Sequence, residues 1–422
     1  MDNKFIKTIE ACRVCGSKNL LPILSLGEQY VSNFIDAPSE QLIKAPLTLV
    51  LCDSKLGGCG LLQLKHTVSA SSMYDEYWYK SGLNPAMRSA LSNITEKAGQ
   101  IVKLSAGDVV LDIGANDGTL LRTYPVAGLK TYGFEPAKNL VPEASINTTK
   151  IINDFFNAAA YKANVGSQKA KVITSIAMFY DLDAPNTFVA DIVESLDGAG
   201  IWIIQMSYLP LMLEYNNFDN ICHEHLEYYS LFSLEALLKR HNLEVFDIEL
   251  NDVNGGSFRV YIQKTGAQAN SPGGMARVAQ QREVEQKLRL NESQPYAEFA
   301  VRVAELKKQT CNFIRQEVAG GKKVYVYGAS TKGNTILQYY GLDSSVITAA
   351  AERNPAKFGK KTVGTLIPIV SEEQARADKP DYFLVLPWHF MSEFKKREIE
   401  FLDQGGKFIV PIPEFKIVGK SG

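Results

Sequence analysis

The chain has 422 residues, of which 45% are hydrophobic and 22% charged, a composition typical of a folded protein with two or three domains. Lys and Arg number 45 and Asp and Glu number 46, so no net field attracts nucleic acid or an anionic membrane. No apolar stretch has the length of a secretory or membrane-spanning segment. We expect a cytoplasmic monomer or weak homo-oligomer that binds neither nucleic acid nor membranes.

Four of the six cysteines lie near the N-terminus: Cys12 and Cys15 form a CxxC pair, and Cys52 and Cys59 form a wider second pair. Thiols stay reduced in the cytoplasm, and four thiolates suit a closed, tetrahedral, structural zinc site. Four buried free cysteines remain the alternative. Residues 1–80 are therefore predicted to form a small zinc-binding domain.

The rest of the chain alternates short β-rich runs with helical segments, which indicates an α/β fold with helices on both faces of parallel sheets. Residues 85–265 are predicted to form a central Rossmann-like domain, residues 266–320 a helical connector, and residues 321–422 a smaller Rossmann-like α/β domain. The predicted strands are 109–114, 129–135, 171–179, 200–207, 258–264, 322–330, 345–352, 382–388 and 407–413.

The sequence LDIGANDG follows the first of these strands and opens a helix, so Gly114 and Gly118 allow a tight turn against a ligand. Asp112 and Asp117 add negative charge, which a phosphate-binding loop would avoid and a cationic sulfonium favours. We therefore predict that S-adenosylmethionine binds along this loop, including Asn116.

The next strand ends in GFEP, which places Glu135 about twenty residues beyond the turn, where an acidic residue accepts hydrogen bonds from ribose hydroxyls. Asp154 and Phe155, after the third strand, have the acidic and aromatic character that holds an adenine ring. Each residue alone is also typical of turn or core chemistry.

The densest acid-base cluster is NICHEHLEYYS, in which His223, Glu224 and His225 are consecutive. In an extended segment His223 and His225 would share one side and Glu224 would point away. Histidine is well suited to proton transfer near neutral pH. Alone, the tripeptide is equally typical of a satisfied polar corner.

With these motifs in place, the chain resembles the nucleotide-sugar C-methyltransferases, which methylate carbon 3 of a 4-keto-6-deoxy sugar. The resemblance spans nearly the whole chain, and it rests on the motifs CRVCG, GANDGTLLR, GFEP, NDFF, EHLEYYSLFS, NGGSFRVY and YGASTKGNT. It implies an N-terminal zinc domain, a central methyltransferase domain and a C-terminal α/β domain that binds the nucleotide sugar.

The resemblance also implies roles for single residues. His225 corresponds to the base that removes the proton from carbon 3, with Glu224 beside it at the sugar, and Tyr77 and Tyr79 lie in a segment that reaches into the active site. The chain departs from the family pattern at Phe179, where a histidine is expected. It departs again at Cys222 and His223, where a tyrosine is expected; we predict that His223 replaces a lost polar partner in catalysis.

The sequence GASTKGNT, residues 328–335, joins a strand to a helix in the C-terminal domain. We predict that Ser330, Thr331, Lys332 and Asn334 contact the sugar or pyrophosphate at the helix N-terminus; a merely structural turn is the alternative. The other predicted substrate contacts are Tyr208 and Trp388, and weaker candidates at later strand ends are Glu352 and His389.

The predicted function is S-adenosylmethionine-dependent methylation of carbon 3 through an enolate. An O- or N-methyltransferase acting on a small polar acceptor is the first alternative, and a catalytically silent zinc-containing scaffold is the second. A dinucleotide-dependent oxidoreductase is disfavoured, because neither strand-turn-helix loop carries GxGxxG.

Overall fold

The structure is a computed structural model that describes residues 5–37, 42–69, 73 and 77–420. Within this part of the chain, sheets of four, seven and six strands are accompanied by two two-stranded ribbons. Among the described residues, no helix has the length and apolar character needed to span a bilayer.

The N-terminal region is built from antiparallel strands, and its central strand is apolar enough to be buried along most of its length. Its strands are β1 (Ile6–Thr8), β2 (Leu20–Tyr30), β3 (Phe34–Ile35), β4 (Lys44–Cys52), β5 (Leu62–Leu64) and β6 (His66–Val68). Strand β4 pairs with both β2 and β5, and β1 pairs with β6.

The middle region is a seven-stranded sheet covered by helices. Its elements are α1 (Pro85–Ile101), β7 (Val109–Ile113), β8 (Lys130–Phe134), α2 (Val141–Ala144), β9 (Lys150–Ile152), α3 (Ala158–Val165), β10 (Ala170–Ile176), α4 (Pro185–Ser195), β11 (Leu196–Ser207), α5 (Leu209–Glu214), β12 (Glu227–Tyr228), α6 (Leu231–Lys239), β13 (Leu243–Asn251) and β14 (Ser257–Lys264). Strand β12 lies outside this sheet.

The strand order of this sheet is β13-β14-β11-β10-β7-β8-β9. All five residues of β7 are buried, as expected for a central strand covered on both faces. The expectation of an all-parallel sheet is corrected, because a short connection folds β13 and β14 into a hairpin and leaves β14 antiparallel to both neighbours. Strand β9 is the third strand expected before Asp154, whereas β13 was not predicted.

Two helices follow, α7 (Gly274–Leu288) and α8 (Gln294–Ala319). Helix α8 buries an apolar face with helical spacing that includes Phe299, Val303 and Leu306. It packs against β2 and α5, whereas α7 packs against α6 and β13. The connector therefore joins the N-terminal and middle regions to each other.

The C-terminal region is a six-stranded sheet of order β18-β16-β15-β19-β20-β21, antiparallel only at β21. Its elements are β15 (Val324–Tyr327), α9 (Thr331–Tyr340), β16 (Ala350–Glu352), β17 (Lys361–Thr362), β18 (Ile369–Ser371), α10 (Glu372–Ala377), β19 (Tyr382–Val385), α11 (Met391–Arg397), α12 (Ile399–Asp403), β20 (Lys407–Val410) and β21 (Lys416–Val418). The loop that follows β15 therefore emerges from the middle of a parallel sheet, where ligands bind in such folds.

The N-terminal region holds the other two regions together, because each of them contributes a strand that pairs with an N-terminal strand. Strand β12 of the middle region completes the N-terminal sheet by pairing with β5, and β17 of the C-terminal region pairs with β3. Ser32 also donates a hydrogen bond to the carbonyl oxygen of Thr331. As a result, the carboxyl ends of the two large sheets line one cleft.

Candidate active site

The four N-terminal cysteines form a compact cluster outside the cleft. Their sulfur atoms all lie within 4.8 Å of one another, and Cys12 to Cys59 and Cys15 to Cys52 measure 3.5 and 3.4 Å. A tetrahedral zinc with Zn–S bonds of about 2.3 Å needs sulfur atoms about 3.8 Å apart. The cluster fits structural zinc.

The cleft between the two large sheets has a volume of about 730 Å³, enough for two small molecules side by side. Its walls differ in charge. All of the Lys and Arg side chains that line it come from the C-terminal region: Lys332, Arg353, Lys357 and Arg397. The middle region lines it with the carboxyl groups of Asp112, Glu135, Asp154, Asp181, Asp183, Asp219 and Glu224.

The turn after β7 brings the backbone to the wall of the cleft formed by the carboxyl groups of the middle region, which we call the acidic wall. Gly114 has a φ of 73°, and a Cβ atom there would lie 3.2 Å from Cγ of Met178, so the close turn depends on glycine. Asn116, also with positive φ, donates its backbone N–H to Glu135. Gly114 and Asn116 both line the cleft.

Glu135 and Asp112 are buried at the floor of this wall. Glu135 accepts backbone N–H groups from Asn116 at 2.7 Å and from Ala137 at 2.9 Å, so its carboxylate is held in a fixed orientation. Thr174 donates to Asp112 at 2.6 Å, and burial, with Glu135 nearby, raises the pKa of Asp112 to about 8. The fixed acceptor oxygens of Glu135 fit the hydroxyl donors of a ribose such as that of S-adenosylmethionine.

Asp154 and Phe155 lie at the outer end of the same wall, and both line the cleft. Asp154 accepts the backbone N–H of Phe155, and Phe155 is 48% exposed, so its ring offers a face to a planar ligand. The next residue, Phe156, is buried against Phe134 with ring centroids 5.3 Å apart.

Asp117 and Gly118, also predicted to bind the cofactor, do not line the cleft. Asp117 accepts backbone N–H groups from Gly82 and Thr119, which fixes the segment before α1. A Cβ atom on Gly118 would lie 2.7 Å from the carbonyl oxygen of Ala144. In this structure both residues hold the turn from behind.

His225 follows a tight turn and lines the cleft. Its Nδ1 lies 2.9 Å from the carbonyl oxygen of Asn220, so Nδ1 carries the proton and donates it. No described residue hydrogen-bonds to Nε2, which is left to accept a proton. Its ring packs on Tyr180 with centroids 4.3 Å apart. Burial, and then the charge of Lys332, lower the pKa of His225 to about 3, so the imidazole is neutral.

Glu224 also lines the cleft, whereas His223 does not. The pKa of Glu224 is raised to about 7 by burial. His223 is buried against the N-terminal sheet, with Nε2 3.0 Å from the carbonyl oxygen of Ala45. The expectation that His223 and His225 share one side is corrected, because the segment is a turn closed by His225 N–H on the carbonyl of Cys222, not a strand.

Tyr77 and Tyr79 line the cleft from the segment before α1. Burial, and then the charges of Glu224 and Asp181, raise the pKa of Tyr77 well above its ordinary value, so its phenol stays protonated and can donate. Tyr79 is 45% exposed, at the cleft mouth. Tyr77 is therefore the tyrosine close to the acid-base cluster.

The loop after β15 supplies Ser330, Thr331 and Lys332 to the opposite wall. Ser330 caps α9 by accepting the backbone N–H of Gly333 at 2.9 Å. Lys332 crosses to the middle region and donates to Oδ1 of Asn220 at 2.5 Å. The loop thus reaches the segment that carries His225.

Three other residues predicted to contact substrate do not line the cleft in this structure. Tyr208 is buried behind it and donates to Glu285 at 2.5 Å. Asn334 is buried and donates to the carbonyl oxygen of Asn33, and Trp388 packs against Tyr215. Each side chain joins two regions of the chain instead of facing a ligand.

Several residues that line the cleft were not predicted from the sequence. Asp181 and Asp219 flank the histidine cluster, and their places at the end of a strand and beside the NICHEH motif were available signals. His389, a weaker candidate, does line the cleft. Arg353, Lys357 and Arg397 carried no motif, because only the tertiary fold brings them to the wall.

Comparisons with known proteins agree with this architecture. Three family models match in chain order: a zinc binding domain at residues 12–74, a methyltransferase domain at 84–248 and a C-methyltransferase C-terminal domain at 252–413. The C-methyltransferase NovU of Streptomyces niveus is 32% identical over 425 residues, which cover 98% of both chains.

Solved structures resemble the chain only in part. The plantazolicin methyltransferase BpumL in complex with SAH is 13% identical and covers 43% of this chain and 85% of its own, with a TM-score of 0.35. Magnesium protoporphyrin IX methyltransferase from Synechocystis with bound SAM is 12% identical and covers 42% of this chain and 79% of its own, with a TM-score of 0.32.

The fold and the family matches together define a methyltransferase that uses S-adenosylmethionine. More specifically, the chain belongs to the C-methyltransferase family with an N-terminal zinc domain. Its cysteine cluster is the zinc site of that domain.

Proposed function

We propose that the protein methylates carbon 3 of a nucleotide-linked 4-keto-6-deoxy sugar after forming an enolate. One observation carries the proposal: His225, held through Nδ1 by Asn220, leaves Nε2 available between an acidic wall and a wall that holds every cation of the cleft. A neutral imidazole in a fixed tautomer is the form that can accept a proton.

The residues near His225 suit enolate chemistry. A ketone at carbon 4 acidifies the hydrogen on carbon 3, and Nε2 of His225 accepts that proton. The phenol of Tyr77 stays protonated, so it is a donor for the oxyanion that develops at carbon 4. When bound, S-adenosylmethionine supplies an electrophilic methyl group to the resulting carbon nucleophile.

Features of the opposite wall support a nucleotide-linked substrate. The N-terminus of α9, with Ser330 and Thr331, faces the cleft, and a helix N-terminus favours phosphate groups. Lys332 lines the same wall without an ion-pair partner among the described residues. The sugar would then lie between this loop and His225, with the cofactor on the other side.

The C-terminal family match favours carbon methylation over the O- and N-methylation alternatives, and hydrogen exchange separates them. In heavy water, with S-adenosylhomocysteine in place of the methyl donor, the enzyme is given thymidine- or uridine-diphosphate 4-keto-6-deoxyglucose. Wild type should exchange the hydrogen on carbon 3, and His225→Ala should slow exchange by about a hundredfold to ten-thousandfold.

His223→Ala is the matched control, because His223 faces Ala45 and not the cleft; it should keep exchange within a few fold. Methylation of an oxygen or nitrogen without exchange at carbon 3 would refute the proposal. Exchange that survives in His225→Ala but disappears in Glu224→Ala would move the base to Glu224, the neighbouring carboxyl group.

A further inference from the structure

Three residues from two regions form a hydrogen-bonded chain that ends at the proposed base. Lys332 donates to Oδ1 of Asn220 at 2.5 Å, and the carbonyl oxygen of Asn220 accepts from Nδ1 of His225 at 2.9 Å. The same carbonyl accepts from the hydroxyl of Tyr228 at 3.2 Å. Asn220 is 3% exposed, so the link is shielded from water.

The two ends of this chain face different parts of the cleft. Lys332 lies in the first turn of α9, on the wall that carries the cations, and His225 lies among the carboxyl groups of the middle region. Other cations of the wall are paired with nearby carboxylates, as Lys357 is with Glu352 at 3.3 Å. For Lys332 the described residues supply only Asn220 as a hydrogen-bond partner.

We propose that Lys332 is a positioning residue that, through Asn220, couples the nucleotide-facing wall of the cleft to the orientation and tautomer of His225. This inference rests on the proposed function. It adds that Lys332 positions the base, His225, besides contacting the substrate. An anionic group of the substrate beside Lys332 would then affect Lys332 and, through Asn220, His225.

Charge supports the coupling. Besides Lys332, the titratable groups that line the cleft or the small cavity beside His225 include, from the middle region and the segment before α1, Tyr77, Tyr180, Asp181, Tyr208, Asp219, Cys222, Glu224, Glu227 and Tyr228, and His389 from the C-terminal region. Lys332 lowers the pKa of His225, after burial, and it also lowers that of Glu224 against burial. A diphosphate near Lys332 offsets its positive charge, which raises the pKa of His225 and makes it a stronger base when substrate is present.

Lys332→Met removes the charge and the hydrogen bond while keeping a long side chain. Asn220→Ala removes the hydrogen-bond acceptor of Lys332 but keeps both the charge and the backbone carbonyl. Lys357→Met is the matched control, because Lys357 is a cation of the same wall that donates to the carbonyl oxygen of Ala329 instead.

Hydrogen exchange at carbon 3 is measured against pH for the three variants. We expect kcat for exchange to fall about tenfold in Lys332→Met and in Asn220→Ala, because both disturb the orientation of the base. The pH midpoint should move up by about one unit only in Lys332→Met, where the positive charge is lost. Lys357→Met should raise KM and leave kcat and the midpoint unchanged.

Imidazole 15N chemical shifts of the unliganded enzyme give a readout that needs no activity. At about pH 4, wild type should show His225 largely neutral and protonated on Nδ1, whereas Lys332→Met should show about half of the imidazole protonated on both nitrogens. Unchanged shifts, or exchange kinetics that match those of Lys357→Met, would overturn the inference. If wild type fails to exchange carbon 3 while the shifts respond as expected, the proposed reaction is wrong and the coupling stands.

Discussion

Two loops that follow strands of different sheets line the cleft, one on the wall rich in carboxyl groups and one on the wall that holds the Lys and Arg side chains. One follows β7 and the other follows β15, and in each an acidic residue at the end of the neighbouring strand accepts a backbone N–H from the loop. Glu135 accepts from Asn116 at 2.7 Å, and Glu352 accepts from Ala329 at 3.1 Å.

The two glutamates differ in what else they meet. Glu352 is paired with Lys357 at 3.3 Å, so its charge is offset within the wall. Glu135 has no ion-pair partner among the described residues, and burial raises its pKa. Under the proposed function, the same backbone arrangement would serve two kinds of ligand: the unpaired carboxyl group of Glu135 suits hydroxyl donors and a cation, and the paired Glu352 leaves its wall open to an anion.

The largest expected effect is the loss of stability when zinc is removed from the N-terminal region, which contacts both walls of the cleft. Arg13, inside the first cysteine pair, contacts Asp183 at 3.3 Å on the acidic wall, and Ser32 contacts Thr331 on the other at 2.8 Å. Cys15→Ser should remove zinc and lower the free energy of unfolding by more than about 4 kcal/mol. Metal analysis and denaturant titration measure both.

Cys311→Ser is the control for that change, because Cys311 is buried outside the cluster and donates to the carbonyl oxygen of Tyr340. It should keep full metal content and lose only about 1 to 2 kcal/mol. A Cys15→Ser protein that retains stoichiometric zinc would contradict the assignment of the site.

The second prediction separates stability from ligand binding. His223 lies outside both walls, and burial lowers its pKa to about 4. The folded state therefore binds fewer protons than the unfolded state between about pH 6.5 and 4, and the free energy of unfolding should fall by about 3 kcal/mol from this group as the pH is lowered through that window. His223→Gln should lose this pH dependence, as measured by urea denaturation at pH 7 and 4.5. An equally steep fall in the variant would show that His223 is not buried as a neutral group.

The third prediction tests the two glutamates directly. Glu135→Gln should weaken S-adenosylhomocysteine binding by about ten- to a hundredfold, because it removes a charged hydrogen-bond acceptor from the cofactor. Glu352→Gln changes the equivalent residue of the other loop and should leave that affinity within about twofold. Calorimetry measures both, and equal losses in the two variants would mean that the loops do not divide the ligands as proposed.

Features that depend on local spacing and backbone conformation were predicted from the sequence, whereas the directions of side chains were not. The cysteine pairs and the glycine turn at Gly114 follow from spacing and backbone conformation, and the structure has both. The direction of His223 was wrong because alternation holds for a strand, and the segment is a turn. The link from Lys332 to Asn220 joins residues 112 positions apart, so no local pattern indicates it.

The smallest expected effect is the response of the two ligands to salt. S-adenosylhomocysteine has no net charge near neutral pH, whereas a nucleoside diphosphate is anionic and would face Lys332, Arg353 and Arg397. Raising the salt concentration from 50 to 500 mM shortens the screening length from roughly 14 to 4 Å, so uridine or thymidine diphosphate should bind about two- to fivefold more weakly. The affinity for S-adenosylhomocysteine should change by less than about twofold, as measured by calorimetry in the same buffers. If the nucleotide proves as insensitive to salt as S-adenosylhomocysteine, the cations are satisfied within their own wall and the excess charge of Lys332 does not reach the ligand.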